Sequence, residues 1–119
     1  MVSPLNSLMK KILKRKIRPE AILCLNDDAA LAAMQACLER GVRIPNDIAF
    51  TGFGNSSVSQ YSWPPLTSVS FSTESMVSKA IDLLLRQIQG EKLSQEETLI
   101  ELPCELVPRQ SCGGHPSLC

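Results

Sequence analysis

Two polar residues at the end of an apolar run, Asn26 and Asp27, are the side chains of this chain best placed to do chemistry. They follow Ala21-Ile22-Leu23-Cys24-Leu25, apolar at every position, as a strand buried on both faces of a parallel sheet should be. They precede an Ala-rich segment that reads as a helix. In open α/β sheets, ligands bind at that place, outside the carboxyl ends of the strands. The first N–H groups of the helix are free there. Asn26 and Asp27 could hydrogen-bond a small polar ligand such as a sugar, or both could simply cap the helix. The residue types leave the two readings open.

Other groupings carry less. Cys112-x-x-His115-x-x-x-Cys119 has the residue types of a zinc site, but a zinc site needs a fourth ligand and a rigid loop. His115 is the only histidine, and its neighbours are glycine and proline, so no metal is expected. Asp27-Asp28 is an acid pair without a phosphate-cradling loop to serve. The serines between 56 and 72 have no Gly-x-Ser-x-Gly turn and no base nearby in sequence. The chain therefore reads as a non-enzyme without a cofactor.

The elements that must position Asn26 and Asp27 can be read on either side of them. Leu5, Leu8, Met9, Ile12 and Leu13 share one helix face, with Ser3 as cap and Pro4 as first helical residue. Pro19 is the expected stop, because the residue before proline disfavours the α region. A strand over 21–25 and a helix over about 28–40 follow, the latter ended by Gly41 at the C′ position. A second strand is expected over about 47–53 and a third over about 66–71. Residues 54–65 between them are Ser- and Pro-rich loop. Tyr61 and Trp63 in that loop suit the edge of a core or an interface better than a ligand platform. A helix over about 73–89, capped by Ser72 or Thr73, carries more apolar residues than one stripe and asks for partners on two sides. Residues 98–107 alternate as a half-exposed strand, with Pro103 arguing for an edge. The end of the chain, from Cys112 or Gly113 to Cys119, is expected to be disordered. The fold class is thus α/β: a mostly parallel sheet flanked by helices, with residues 1–112 as one domain and 113–119 as a tail.

Four motifs in order add a family resemblance. They are R-P-x-A-I…N-D-x-x-A-L from Arg18, G-x-x-I-P-x-D-I-A-x-x-G-F from Gly41, P-P-L-T-S-V from Pro64 and E-L-x-x-R-x-S from Glu105. Together they resemble the effector-binding domain of the lac-repressor/gal-repressor (LacI/GalR) family of transcription regulators, in its carboxy-terminal part. The resemblance covers roughly residues 12–112 and implies a partial periplasmic-binding-protein-like (type I) fold. It further implies the effector-sensing and dimerising portion of a sugar-responsive regulator. The alternatives are a fragment of a solute-binding protein from a transport system, or a structural remnant that binds nothing. The family's helix-turn-helix and most of its first effector subdomain have no counterpart here, so the chain reads as a fragment. Operator DNA would be reached only through that missing amino-terminal domain.

By the same resemblance, effector contacts fall on Asn26, Asp27, Gly54, Asn55 and Ser56, with Asp27 more a cap or loop brace than a ligand. Many such regulators place an Asp after the G-F pair, where this chain has Gly54; Asn55 or Ser56 would have to replace it. Leu31, Met34, Gln35 and Leu38 match a helix that contributes to the family's dimer interface, which implies a homodimer. The expected partner is a sugar or sugar acid.

Composition narrows the setting. Twelve basic residues balance twelve acidic ones, so there is no whole-chain attraction to polyanions. Six of the bases, Lys10, Lys11, Lys14, Arg15, Lys16 and Arg18, precede the first acid, Glu20. That run reads as a solvated helix face, with sequence-blind contact to nucleic acid as the lesser reading. No apolar run is long enough for a bilayer, and the amino terminus lacks the pattern of a signal peptide. Five cysteines without regular spacing argue against a disulfide framework. A cytoplasmic location without membrane contact is the expectation.

Overall fold

The computed structural model describes residues 4–114. Residues up to Ser70, together with those from Leu106 onward, form one compact unit, and Phe71–Glu105 form a second. Four strands make one sheet in the order β1-β2-β3-β4: Ala21–Leu23, Ala49–Phe53, Thr67–Phe71 and Cys104–Val107. β1 runs parallel to β2, with Ala21 opposite Ala49, and β2 runs parallel to β3, with Thr51 opposite Thr67.

In the first unit, α1 (Pro4–Leu13) lies on α2 (Asp27–Leu38), and α2 lies on β2. The core is built from Met9 and Leu13 of α1, from Ala30, Ala33, Met34 and Cys37 of α2, and from Phe50 of β2. Small residues at 30, 33 and 36 let α2 approach the sheet closely, and all three are buried. Burial also raises the thiol pKa values of Cys24 and Cys37; at Cys37 the nearby Arg40 opposes the shift. α2 closes with Val42 N–H bonding to Cys37 O and Gly41 N–H to Leu38 O. This is the bond pattern of a Schellman motif, with Gly41 at a φ of +72°.

Three expectations change in the first unit. α1 stops at Leu13, well before Pro19, because the stripe runs out of core: Lys14, Arg15 and Lys16 follow, and Ile17 is 85% exposed. The strand expected over 21–25 is three residues long and is not buried on both faces. It forms a sheet edge, where Ile22 and Cys24 turn toward the core while Leu23 and Leu25 are exposed. The carboxy-terminal expectation changes too. Gln110–Cys112 form a 3₁₀ turn with Ser111 fully buried, and Gly113 N–H bonds to Gln110 O. Cys112 therefore belongs to the folded part of the chain; residues 115–119 lie outside the described residues, as does Ser3, the expected cap of α1.

In the second unit, α3 (Thr73–Ile88) is capped by Ser72, whose Oγ accepts from Ser75 N–H at 3.1 Å. None of its residues is buried, and Met76, Val77, Ile81, Leu84, Leu85 and Ile88 are all exposed. α4 (Gln95–Thr98) opens with a reciprocal capping box between Ser94 and Glu97. That box, plus the missing donor of Pro103, explains why the alternating strand expected over 98–107 shrinks to Cys104–Val107.

Candidate functional site

The turn from β1 into α2 puts Asn26 at the N-cap, with extended backbone and its Oδ1 accepting from Ala29 N–H at 2.8 Å. The side chain is exposed. One residue on, Asp27 points the other way and is 97% buried. Its two carboxylate oxygens are both occupied. Oδ1 accepts from Ser68 Oγ and Oδ2 from the backbone N–H of Ser56, each at 2.6 Å. A buried carboxylate is costly unless hydrogen-bonded, and the free N–H groups of the first turn of α2 add favourable potential. Asp27 thus ties the end of β1 to the turn after β2 and to the strand β3.

That turn is Gly54-Asn55-Ser56. Gly54 has a φ of +113° and donates its N–H to Val69 O at 2.8 Å. Asn55 follows at a φ of +47°, so the chain reverses through two consecutive left-handed residues. Asn55 N–H bonds to Ser68 Oγ at 3.0 Å, and its Oδ1 accepts from Arg109 Nη2 at 2.7 Å. Ser56 Oγ is buried and has no hydrogen-bond partner among the described residues. Gly52, just before the turn, is needed for close approach. A Cβ there would collide with Asp27 Oδ1 and stand 3.1 Å from Leu66 Cδ2.

Arg109 and Ser111 hold this arrangement from behind. Arg109 Nη1 donates to Leu66 O at 2.7 Å and to Ser59 Oγ at 3.1 Å. Ser111 Oγ donates to Phe50 O at 2.7 Å and accepts from Thr67 N–H at 2.8 Å, bridging β2 and β3. Cys112 Sγ accepts from Thr67 Oγ1 at 3.0 Å. Of the five expected effector residues, the structure gathers Asp27, Gly54, Asn55 and Ser56 into one hydrogen-bonded cluster, with Asn26 beside it at the N-cap of α2. Ser68, Arg109 and Ser111 join the cluster although no side-chain periodicity marks them. The closing E-L-x-x-R-x-S motif contained the only signal for the last two.

The other expected surface is also contiguous. Leu31, Met34, Gln35 and Leu38 line a groove of about 390 Å³, together with Glu39, Ser62 and Trp63. Met34 forms a buried part of it, and Trp63 is 82% exposed. Among the described residues, no group of three or more His, Cys, Asp or Glu could hold a metal ion. His115 and Cys119 lie outside the described residues. No described helix is long and apolar enough to cross a membrane.

Parallel strands that feed helices through turns lined with polar side chains define an open α/β domain with a candidate ligand site at the strand ends. A family model described as "Periplasmic binding protein-like domain" matches residues 3–112. The transcriptional repressor PurR of Pasteurella multocida is 41% identical over 103 residues, which are 87% of this chain and 30% of that protein. A lactose operon repressor of Rhizobium radiobacter is 35% identical over 102 residues, 86% of this chain and 88% of that sequence. A LacI-family transcriptional regulator of Lactobacillus casei, solved with bound glucose, superimposes with a TM-score of 0.74 at 26% identity, over 91% of this chain and 38% of that one. The chain belongs to the LacI/GalR family of transcription regulators and represents a carboxy-terminal part of the effector-binding domain. It spans about 30% of the length of its PurR relative.

Proposed function

We propose that this segment is one wall of the effector cleft and part of the dimer interface of a cytoplasmic transcription regulator with a sugar-class effector. It has no catalytic role. The family membership carries this reading, and the geometry supports it: the exposed Asn26 amide stands at a strand-to-helix turn, beside a braced loop whose Ser56 hydroxyl is unpaired. Asp27 and Asn55 have their acceptors occupied internally, so they position the loop and leave direct contact to the exposed amide NH2 of Asn26. The bound glucose in the Lactobacillus casei neighbour favours a polyhydroxyl effector. In the intact regulator, the effector would favour one arrangement of the two subdomains and so change operator affinity, a population shift set by differential binding. The operator would be read by a helix-turn-helix outside these residues.

One wall buries little of a ligand, so the isolated chain should bind hexoses only weakly, with dissociation constants in roughly the millimolar range or above. Amide chemical shifts followed during a sugar titration should move near Asn26 and the 54–56 turn, and Asn26→Ala should abolish the movement. Shifts confined to any other surface would overturn the assignment.

Self-association is the second expectation. The groove along α2 and the uncovered apolar stripe of α3 each leave side chains exposed whose burial is worth roughly 1.5–3 kcal/mol apiece. Sedimentation at micromolar concentration should show a dimer or larger species. Leu38→Asp, placed at an exposed position beside Trp63 in the groove, should shift the equilibrium toward monomer at least tenfold. A wild-type chain that sediments as a monomer would refute the interface.

A further inference from the structure

The run of bases that the sequence presents as a solvated helix face has a shape. Lys10, in the last turn of α1, and Lys14 and Arg18, beyond its end, line a cavity of about 240 Å³ with Arg40, just past the end of α2. Its apolar part is Leu13 and Val42, both buried. No carboxylate lines it. The ion pairs of the described residues lie elsewhere, Arg43 with Asp47 and Arg86 with Glu91 and Glu97. Asp47 feels Arg18 only as a minor influence; its carboxyl is held down to about 2 chiefly by the hydrogen bond from Arg43.

Arg40 is fixed. Its Nη1 donates to Ala36 O at 2.6 Å and its Nη2 to Asn6 Oδ1 at 2.7 Å, so the guanidinium clamps α1 against α2. A guanidinium carries five donors, and the remainder stay available. The two lysines and Arg18 are exposed, and their side chains can close around a small ligand. Cations also complement the carbonyl ends of α1 and α2, but that role needs no concavity and no fourth charge from another helix.

We infer that this cavity is a binding site for a compact anion carrying more than one phosphate charge. It is separate from the effector cleft: Asn26 caps one end of α2 and Arg40 follows the other, about 18 Å along a helix of twelve residues. A concave site with two short apolar side chains at its base suits a diphosphate group better than an extended polyanion, which would track the exposed Lys11, Arg15 and Lys16 as well.

The test is a titration of the chain with inorganic pyrophosphate, followed by calorimetry and by amide chemical shifts. Saturable one-site binding is expected, with shifts at Lys10, Lys14, Arg18 and Arg40. Raising sodium chloride from about 50 to about 300 mM should weaken it severalfold through screening. Lys14→Glu and Arg18→Glu, both outside helices and exposed, should each lower affinity at least tenfold while leaving the thermal midpoint nearly unchanged. Absence of saturation at millimolar pyrophosphate, or affinity indifferent to both substitutions, would overturn the site. So would shifts spread equally over Lys11, Arg15 and Lys16, with a mixed-sequence DNA duplex binding more tightly than pyrophosphate. That result would mark a sequence-blind polyanion surface instead. Asn26→Ala should not change pyrophosphate binding, so the outcome is independent of the effector assignment.

Discussion

Asp27→Ala is expected to destabilise the first unit by about 2–4 kcal/mol and to release the Gly54-Asn55-Ser56 turn. The substitution removes an acceptor from Ser68 Oγ and another from Ser56 N–H, two short bonds to a buried carboxylate. Hydrogen bonds to a charged group contribute about 1.5–3 kcal/mol each, and the relief of burying a charge takes part of that back. Urea unfolding should show a lower midpoint, and the Ser56 amide should lose hydrogen-exchange protection before the amides of β2 do. A loss below about 1 kcal/mol would mean that the turn holds its shape without the brace.

Gly52→Ala provides the matching cycle. Its methyl would collide with Asp27 Oδ1 and press on Leu66 Cδ2 and the Asp27 Cα. Overpacking of this kind costs about 1–3 kcal/mol. With Asp27→Ala already present, the oxygen is gone and only the milder contacts remain. The two substitutions should therefore couple by about 1–2 kcal/mol. Strict additivity would show that Gly52 and Asp27 do not share the space the geometry gives them.

Ser111→Ala should be nearly as damaging, at about 2–4 kcal/mol, although the residue lies eight positions from the end of the chain. Its hydroxyl satisfies two buried backbone groups at once, the carbonyl of Phe50 and the N–H of Thr67. Alanine fits the space and leaves both unpaired. The effect should be read in the unfolding midpoint and in exchange at Thr67. Serine-sized apolar replacement with no loss would show that water reaches the bridge.

What the sequence by itself determined was the alternation of elements. Apolar runs bounded by Pro19, Gly41 and the Pro64-Pro65 pair mark three strands, and the spacing of Leu5, Met9, Ile12 and Leu13 marks α1. Local chemistry also placed Asn26 at a helix start, Ser72 at the next and Gly41 at a helix end, because caps depend on near neighbours in the chain. Four ordered motifs were enough for the family.

Tertiary structure decided the rest. That β1 is a sheet edge depends on which strand lies beside it, so Leu23 and Leu25 could look buried in sequence and be exposed in the fold. Asp27 and Asn26 are adjacent and chemically alike, yet only packing against Ser56 and Ser68 turns one inward. The bracing roles of Arg109, Ser111 and Cys112 were invisible in the sequence because their partners are Asn55, Ser59, Phe50 and Thr67, more than forty residues away. Hydrophobic periodicity reports the face an element buries; it does not report a polar side chain whose partner arrives from a distant part of the chain.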